Sequence, residues 1–186
     1  VIAVKTLNDV SPKIGYDYLL NLGFTTLVDN YTSQDGKTYT DISLPLALGG
    51  LTKGVTNLEL TNGFATIANQ GLYHPAFFYT KIVDHDGNVL LDNTMNTDTR
   101  QVMKESTAWL LTSAMEDVIL KGTGSRLKFK KINMPQAGKT GTSTGNRDLW
   151  FVGYTPYLTA GIWGGYDSGQ KQTSLTYQKD LWRDTM

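Results

Sequence analysis

Gly138-Lys139-Thr140-Gly141-Thr142, followed closely by Asp148-Leu149-Trp150-Phe151-Val152-Gly153-Tyr154-Thr155-Pro156, is the stretch on which the fold turns. Residues 136–142 read as one strand and 149–154, with its alternation, as the next. Thr155-Pro156 turns the chain, and 159–166 supplies a third strand. If the first strand lies at an exposed sheet edge, an extended peptide can add to it through main-chain hydrogen bonds. Gly141 has no side chain to obstruct a ligand backbone. Thr140 and Thr142 share one face of a strand and offer hydroxyls to a carboxylate. Lys139 adds a positive charge that favours an anionic ligand, and a strand N–H can stabilise a tetrahedral oxyanion.

Working outward, residues 105–120 form a long helix carrying Trp109, Leu110, Met115 and Ile119, broken by Gly122-Thr123-Gly124. Residues 73–83, rich in aromatic and β-branched types, pair with Val89-Leu90-Leu91 across an Asp86-Gly87 turn. Thr56-Asn57-Leu58-Glu59 has capping-box spacing, and Leu60, Phe64, Ile67 and Ala68 continue one apolar face towards Gly71. Ser11-Pro12 opens an earlier helix through Ile14, Tyr18, Leu19 and Leu22, with Gly23 as its left-handed stop. Residues 29–43 read as a loop and 175–186 as a closing helix. Helices come first and an antiparallel sheet last, so the class is α+β, an antiparallel β-sheet flanked by helices.

The 186 residues suffice for one sizeable core. Seventeen basic and seventeen acidic residues cancel, so no global field points to nucleic acid or to an anionic membrane. Cysteine is absent, which excludes disulfides, thiolate catalysis and cysteine-ligated metals. No apolar run approaches the roughly 18 residues that a transmembrane helix needs. Val1-Ile2-Ala3-Val4 begins without a methionine, and the expectation is a piece of something longer.

These motifs together resemble the transpeptidase domain of penicillin-binding proteins. Gly138 to Thr142 and the hairpin after it are similar to that family's third active-site motif and its following strands. Leu46-Ala47-Leu48-Gly49-Gly50, Gly54-Val55-Thr56-Asn57-Leu58-Glu59 and Ala68-Asn69-Gln70-Gly71 resemble the bifunctional class A members. Gly122-Thr123-Gly124 and Trp182-Arg183-Asp184-Thr185-Met186 fit as well. The resemblance implies the fold shared by penicillin-binding proteins and serine β-lactamases. It also implies a D,D-transpeptidase that cross-links peptidoglycan stem peptides through a serine acyl-enzyme and binds β-lactams.

Within that reading residues 1–186 are the C-terminal portion of the domain. Val1-Ile2-Ala3-Val4-Lys5 follows directly on a Ser-x-Asn motif, and the nucleophile-bearing Ser-x-x-Lys and a glycosyltransferase domain lie upstream. The resemblance makes Lys139 the catalytic electrostatic residue. Lys139, Thr140, Gly141 and Thr142 bind substrate, and no cofactor or metal takes part. The parent protein is expected to be membrane-anchored, on the extracytoplasmic face of the bacterial cytoplasmic membrane. The chain by itself is expected to be inactive unless the missing N-terminal part stays associated. A non-catalytic peptide-binding module of the same fold is the alternative, with a serine β-lactamase or carboxypeptidase as a third reading.

Several pattern matches have simpler explanations. Ser125-Arg126-Leu127-Lys128 and Ser168-Gly169-Gln170-Lys171 satisfy Ser-x-x-Lys as strings, but one follows a glycine-broken helix end and the other sits in a polar loop. His74 and His85 have no second ligand at metal spacing. Asp84 and Asp86 are turn residues, Glu116 and Asp117 a solvated helix face. Trp150 and Phe151 suit core and hairpin packing rather than sugar stacking, and Asp148 orders the turn. Asn133 stands where a phosphate-binding loop needs its leading glycine.

Overall fold

Three antiparallel strands form the sheet on which the rest of the chain is organised: β7 (Ala137–Thr142), β8 (Asp148–Tyr154) and β9 (Thr159–Gly165), in the order β7-β8-β9. The structure, a computed structural model, describes residues 1–94 and 98–186. Before the sheet come α1 (Ile2–Val10), α2 (Pro12–Asn21), the short hairpin β1 (Tyr31–Thr32) and β2 (Thr38–Tyr39), a 3-10 segment Leu44–Leu48, and α3 (Asn57–Ala68). Then follow β3 (Leu72–Tyr73), β4 (Lys81–Val83), β5 (Val89–Asp92), β6 (Arg100–Gln101), α4 (Glu105–Leu120) and a 3-10 segment Ser125–Leu127. The helix α5 (Tyr177–Thr185) follows the sheet.

The α+β expectation holds, and local chemistry explains most element ends. Ser11 adopts φ 96°, its N–H ending α1 on the Leu7 carbonyl at 2.8 Å while its Oγ accepts from Lys13 N at 3.3 Å to begin α2. Gly23 follows α2 at φ 87°, the left-handed stop read from the sequence. The helix α1 lies in a stretch that carries no cap or turn signal and to which the sequence reading assigns no element.

The strand expected over 73–83 is a correction. Leu72–Tyr73 pairs with β6 instead, and only Lys81–Val83 pairs with Val89–Asp92. Pro75 lies between these segments and has no N–H to give a ladder, which interrupts the run. The 29–43 loop contains the two-residue hairpin β1-β2. It also contains Asp41, 1% exposed, whose carboxylate accepts from Val28 N, Thr52 N and Thr52 Oγ1, each at 2.7 Å.

The core lies between the sheet and α4–α5: Ile119, Leu127, Phe151 and Trp182, with Phe129, Ala160, Ile162 and Met186 against them. Trp182 meets Phe151 edge-on at 5.0 Å, stacks on Phe129 at 6.2 Å, and donates from Nε1 to the Ala160 carbonyl at 3.0 Å. Its polar end is therefore satisfied inside the core. On the sheet, α3 approaches β9 so closely that a Cβ on Gly161 would come within 2.6 Å of Asn57 Oδ1. Asn57 Nδ2 instead donates to the Gly161 carbonyl at 3.1 Å.

The capping box of α3 is present: Glu59 N donates to Thr56 Oγ1 at 3.1 Å and Thr56 N to Glu59 Oε2 at 3.0 Å. Glu59 reaches further than a cap, accepting from Thr25 N at 2.7 Å, Thr25 Oγ1 at 2.8 Å and Thr26 Oγ1 at 3.2 Å. Burial opposes its ionisation, but the donors of Thr25 and Thr56 outweigh burial and hold the carboxyl at about 2. A carboxyl depressed on folding stabilises the folded state above its unfolded pKa, near 4.5, and that contribution fades as pH falls towards 2. Glu59→Gln is expected to cost about 2 kcal/mol at neutral pH, after allowance for solvent screening. Urea denaturation at pH 7 and pH 3 should show the difference between the two proteins narrowing at the lower pH.

Candidate active site

The strand β7 is paired on one side only, with Lys139 opposite Val152, Thr140 opposite Phe151 and Gly141 opposite Trp150. Its other edge carries no strand among the described residues, so the condition for peptide addition is met. Gly138 is fixed by close packing, since a Cβ there would lie 2.6 Å from Phe151 Cζ and 2.8 Å from the Val152 carbonyl oxygen. At Gly141 a Cβ would meet Trp150 Cβ at 3.1 Å. The missing side chain there thus also accommodates Trp150 on the neighbouring strand.

Lys139 and Thr142 are exposed, and Thr140 is half-buried. Lys139 Nζ donates to the Thr140 carbonyl at 2.9 Å and makes no salt bridge among the described residues. Its charge remains available to an incoming anion. Thr140 Oγ1 lies 3.0 Å from Thr123 Oγ1, and the Thr123 carbonyl accepts from Lys179 Nζ at 3.0 Å. Thr123 therefore joins the site, a role its sequence signal as a helix breaker did not reveal. What could have pointed to it is the hydroxyl between two glycines, a flexible polar segment folded back on the strand.

Beyond β7 the turn is tightly held. Ser143 Oγ donates to Asp148 Oδ2 at 2.7 Å and accepts from Asp148 N at 2.8 Å, while Trp163 Nε1 donates to Asp148 Oδ1 at 3.1 Å. Gly145 and Asn146 take left-handed backbone at φ 76° and 55°. Asp148 orders the turn, as its position suggests, and so fixes the end of the strand that carries Thr142.

The remaining sequence candidates fall away from this strand. Ser125 opens a 3-10 segment and Ser168 lies in a turn, so neither heads a buried helix. Phe151 is fully buried in the core and Trp150 lies against Trp163 with ring centroids 6.4 Å apart. His74 Nδ1 is 2.9 Å from Thr99 Oγ1, and His85 pairs with Asp86 at the hairpin turn. Asp84 accepts from Asp86 N and Asn88 N, which is turn chemistry. Among the described residues no group of three or more His, Cys, Asp or Glu could hold a metal.

Lys-Thr-Gly is one of the motifs shared by penicillin-binding proteins and class A β-lactamases, and here it lies on the edge strand of a three-stranded antiparallel sheet backed by a C-terminal helix. The model of the penicillin binding protein transpeptidase domain matches residues 1–180, and the chain belongs to that family. It is 32% identical over 191 residues to penicillin-binding protein 1F of Bacillus subtilis (strain 168), covering 99% of this chain and 25% of the relative. Penicillin-binding protein 4 of the same organism is 35% identical over 188 residues, covering 99% of this chain and 28% of the relative. The chain thus spans about a quarter of the length of these curated relatives. Among solved structures, penicillin-binding protein PonA1 from Mycobacterium tuberculosis superimposes with a TM-score of 0.72 at 28% identity, covering 90% of this chain and 47% of that one. The same protein has been solved in complex with penicillin V.

Proposed function

We propose that this chain is the Lys-Thr-Gly-bearing part of the transpeptidase domain of a class A penicillin-binding protein, a peptidoglycan D,D-transpeptidase. The observation that supports it most is the one-sided pairing of β7, which leaves Lys139 and Thr142 exposed and Thr140 oriented by Thr123. The nucleophilic serine and its lysine lie in a part of the parent protein that this chain does not contain. In the reaction the serine oxygen bonds to the penultimate D-Ala carbonyl of a stem peptide, passing through a tetrahedral oxyanion. The C–N bond then breaks and terminal D-Ala leaves with a proton. An amine of a neighbouring strand attacks the acyl-enzyme, forms the new amide and frees the serine.

This chain's residues act on binding and charge. Thr140 and Thr142 hold the terminal carboxylate, and Lys139 supplies positive potential at the reacting group. The open edge of β7 aligns the peptide backbone, and Gly141 leaves it room. β-Lactams present an acylating carbonyl beside a carboxylate and occupy the same strand. The reading requires no cofactor. It places the parent protein at the extracytoplasmic face of the cytoplasmic membrane, held there by a segment outside this chain. No helix among the described residues is long and apolar enough to cross a membrane.

The isolated chain is expected to remain unlabelled by a fluorescent penicillin, while the full-length protein labels at a serine outside residues 1–186. Labelling of the isolated chain, or of Ser125 or Ser168 in a peptide map, defeats this assignment. Saturable stem-peptide binding by a full-length protein that never acylates would favour the binding-module reading.

A further inference from the structure

The stretch 118–147 carries Lys121, Arg126, Lys128, Lys130, Lys131, Lys139 and Arg147 and contains no aspartate or glutamate, in a chain whose seventeen basic and seventeen acidic residues cancel only when this stretch is included. Part of this excess converges on a cleft of about 720 Å³ lined by Ser125, Arg126, Lys128, Phe129, Lys130 and Arg183. The lining holds four cations and no carboxylate, and it shares no residue with β7.

The walls of this cleft are fixed. Phe129 stacks on the buried Trp182, and Phe129 N donates to Gln136 Oε1 at 2.9 Å while Gln136 Nε2 donates to the Leu127 carbonyl at 3.1 Å. The buried Gln136 amide thereby clamps the backbone on which Lys128 and Lys130 are carried. Arg126 binds Asp180 through Nε at 2.8 Å and Nη2 at 2.9 Å, which uses two of the five N–H donors of the guanidinium. Arg183 donates to the same Asp180 at 3.1 Å and to Asp184 at 2.9 Å. Asp180 and Asp184 balance the two guanidiniums, so the excess charge of the cleft is that of Lys128 and Lys130, while Arg126 keeps N–H donors that Asp180 does not use. Lys128 and Lys130, both exposed, make no salt bridge among the described residues.

We infer that this cleft binds a flexible, phosphate-bearing polyanion. Its concavity suits a chain that can thread between cations better than the flat surface of a bilayer. The one aromatic ring in the lining is committed to Trp182, so there is no platform on which nucleic-acid bases could stack. Nor does the lining offer a set of apolar anchors such as a peptide partner uses. Two lysines free of carboxylate partners on a clamped backbone, beside an Arg126 guanidinium with donors to spare, fit neighbouring phosphates of one chain.

The test uses the full-length protein and fluorescently labelled long-chain inorganic polyphosphate, read by anisotropy between 50 and 200 mM salt. Binding is expected, with log Kobs falling against log salt at a slope of about −2 to −3, the value for three or four phosphates neutralised on a flexible strand. The double variant K128Q/K130Q should lose affinity at least about tenfold at low salt and flatten that slope by about 1.4. K5Q/K104Q, which removes the same charge elsewhere, should change neither, and penicillin labelling of K128Q/K130Q should match that of the unaltered protein. Absence of binding at 50 mM salt, or an equal loss in both double variants, overturns the site. Equally tight, Lys128- and Lys130-dependent binding of poly-glutamate, single-stranded DNA or anionic-lipid vesicles overturns the assignment of its ligand.

Discussion

Lys139→Ala in the full-length protein is expected to lower the second-order rate of acylation by benzylpenicillin by about 10²- to 10³-fold, the loss typical of removing one preorganised electrostatic group. The side chain is exposed, and its one hydrogen bond goes to the carbonyl of the next residue. Its removal should therefore leave stability within about 0.5 kcal/mol of the parent. That pairing of a large kinetic loss with an unchanged melting midpoint separates a charge that acts on the ligand from one that supports the fold. Lys139→Arg should not restore the rate, because a planar guanidinium places its charge and donors differently from a compact ammonium. Stopped-flow acylation beside a thermal melt checks both statements. A variant that acylates at the parental rate would remove Lys139 from the mechanism.

Trp182→Ala should produce the largest loss of stability, about 3–5 kcal/mol. Trp182 has no exposed surface, and it is the side chain that Phe151 of β8 and Phe129 both contact. Its truncation opens a cavity against the sheet and leaves the Ala160 carbonyl without its indole donor. For a domain of this size the melting midpoint should fall by about 10 °C or more. Trp182→Phe should recover part of that, because the aromatic volume returns while the N–H does not. An alanine variant that melts with the parent would show that the core is centred elsewhere.

Features decided within a few residues were legible in the sequence. The Thr56–Glu59 capping box, Gly23 as a helix stop, the Asp86-Gly87 turn and the three final strands all depend on local geometry or on a period-two pattern. The Lys-Thr-Gly strand could be placed because its neighbours repeat that pattern, and its position at the sheet edge agrees with the chemistry expected of it. What escaped is built across long separations. Glu59 reads as a cap, yet it also anchors Thr25 and Thr26. Asp41 reads as a loop residue, yet it is buried and holds Val28 to Thr52. The strand expected over 73–83 is interrupted because Pro75 lacks a donor, whatever the aromatic content around it. Thr123 looked like punctuation because nothing local indicates that its hydroxyl meets Thr140. The roles of Lys139, Thr140, Gly141 and Thr142 in catalysis and binding rest on the chemistry of those groups and on the experiments above.

The hydrogen bond from Lys179 to the Thr123 carbonyl gives the last helix a grip on the loop whose hydroxyl orients Thr140. On the proposed function, a bacterium under antibiotic pressure has a mutational target wider than the strand proposed to hold the drug. Substitutions at position 179, or at Asp180 whose ion pair with Arg126 braces the same loop, can alter the fit of a β-lactam while every residue facing it stays the same.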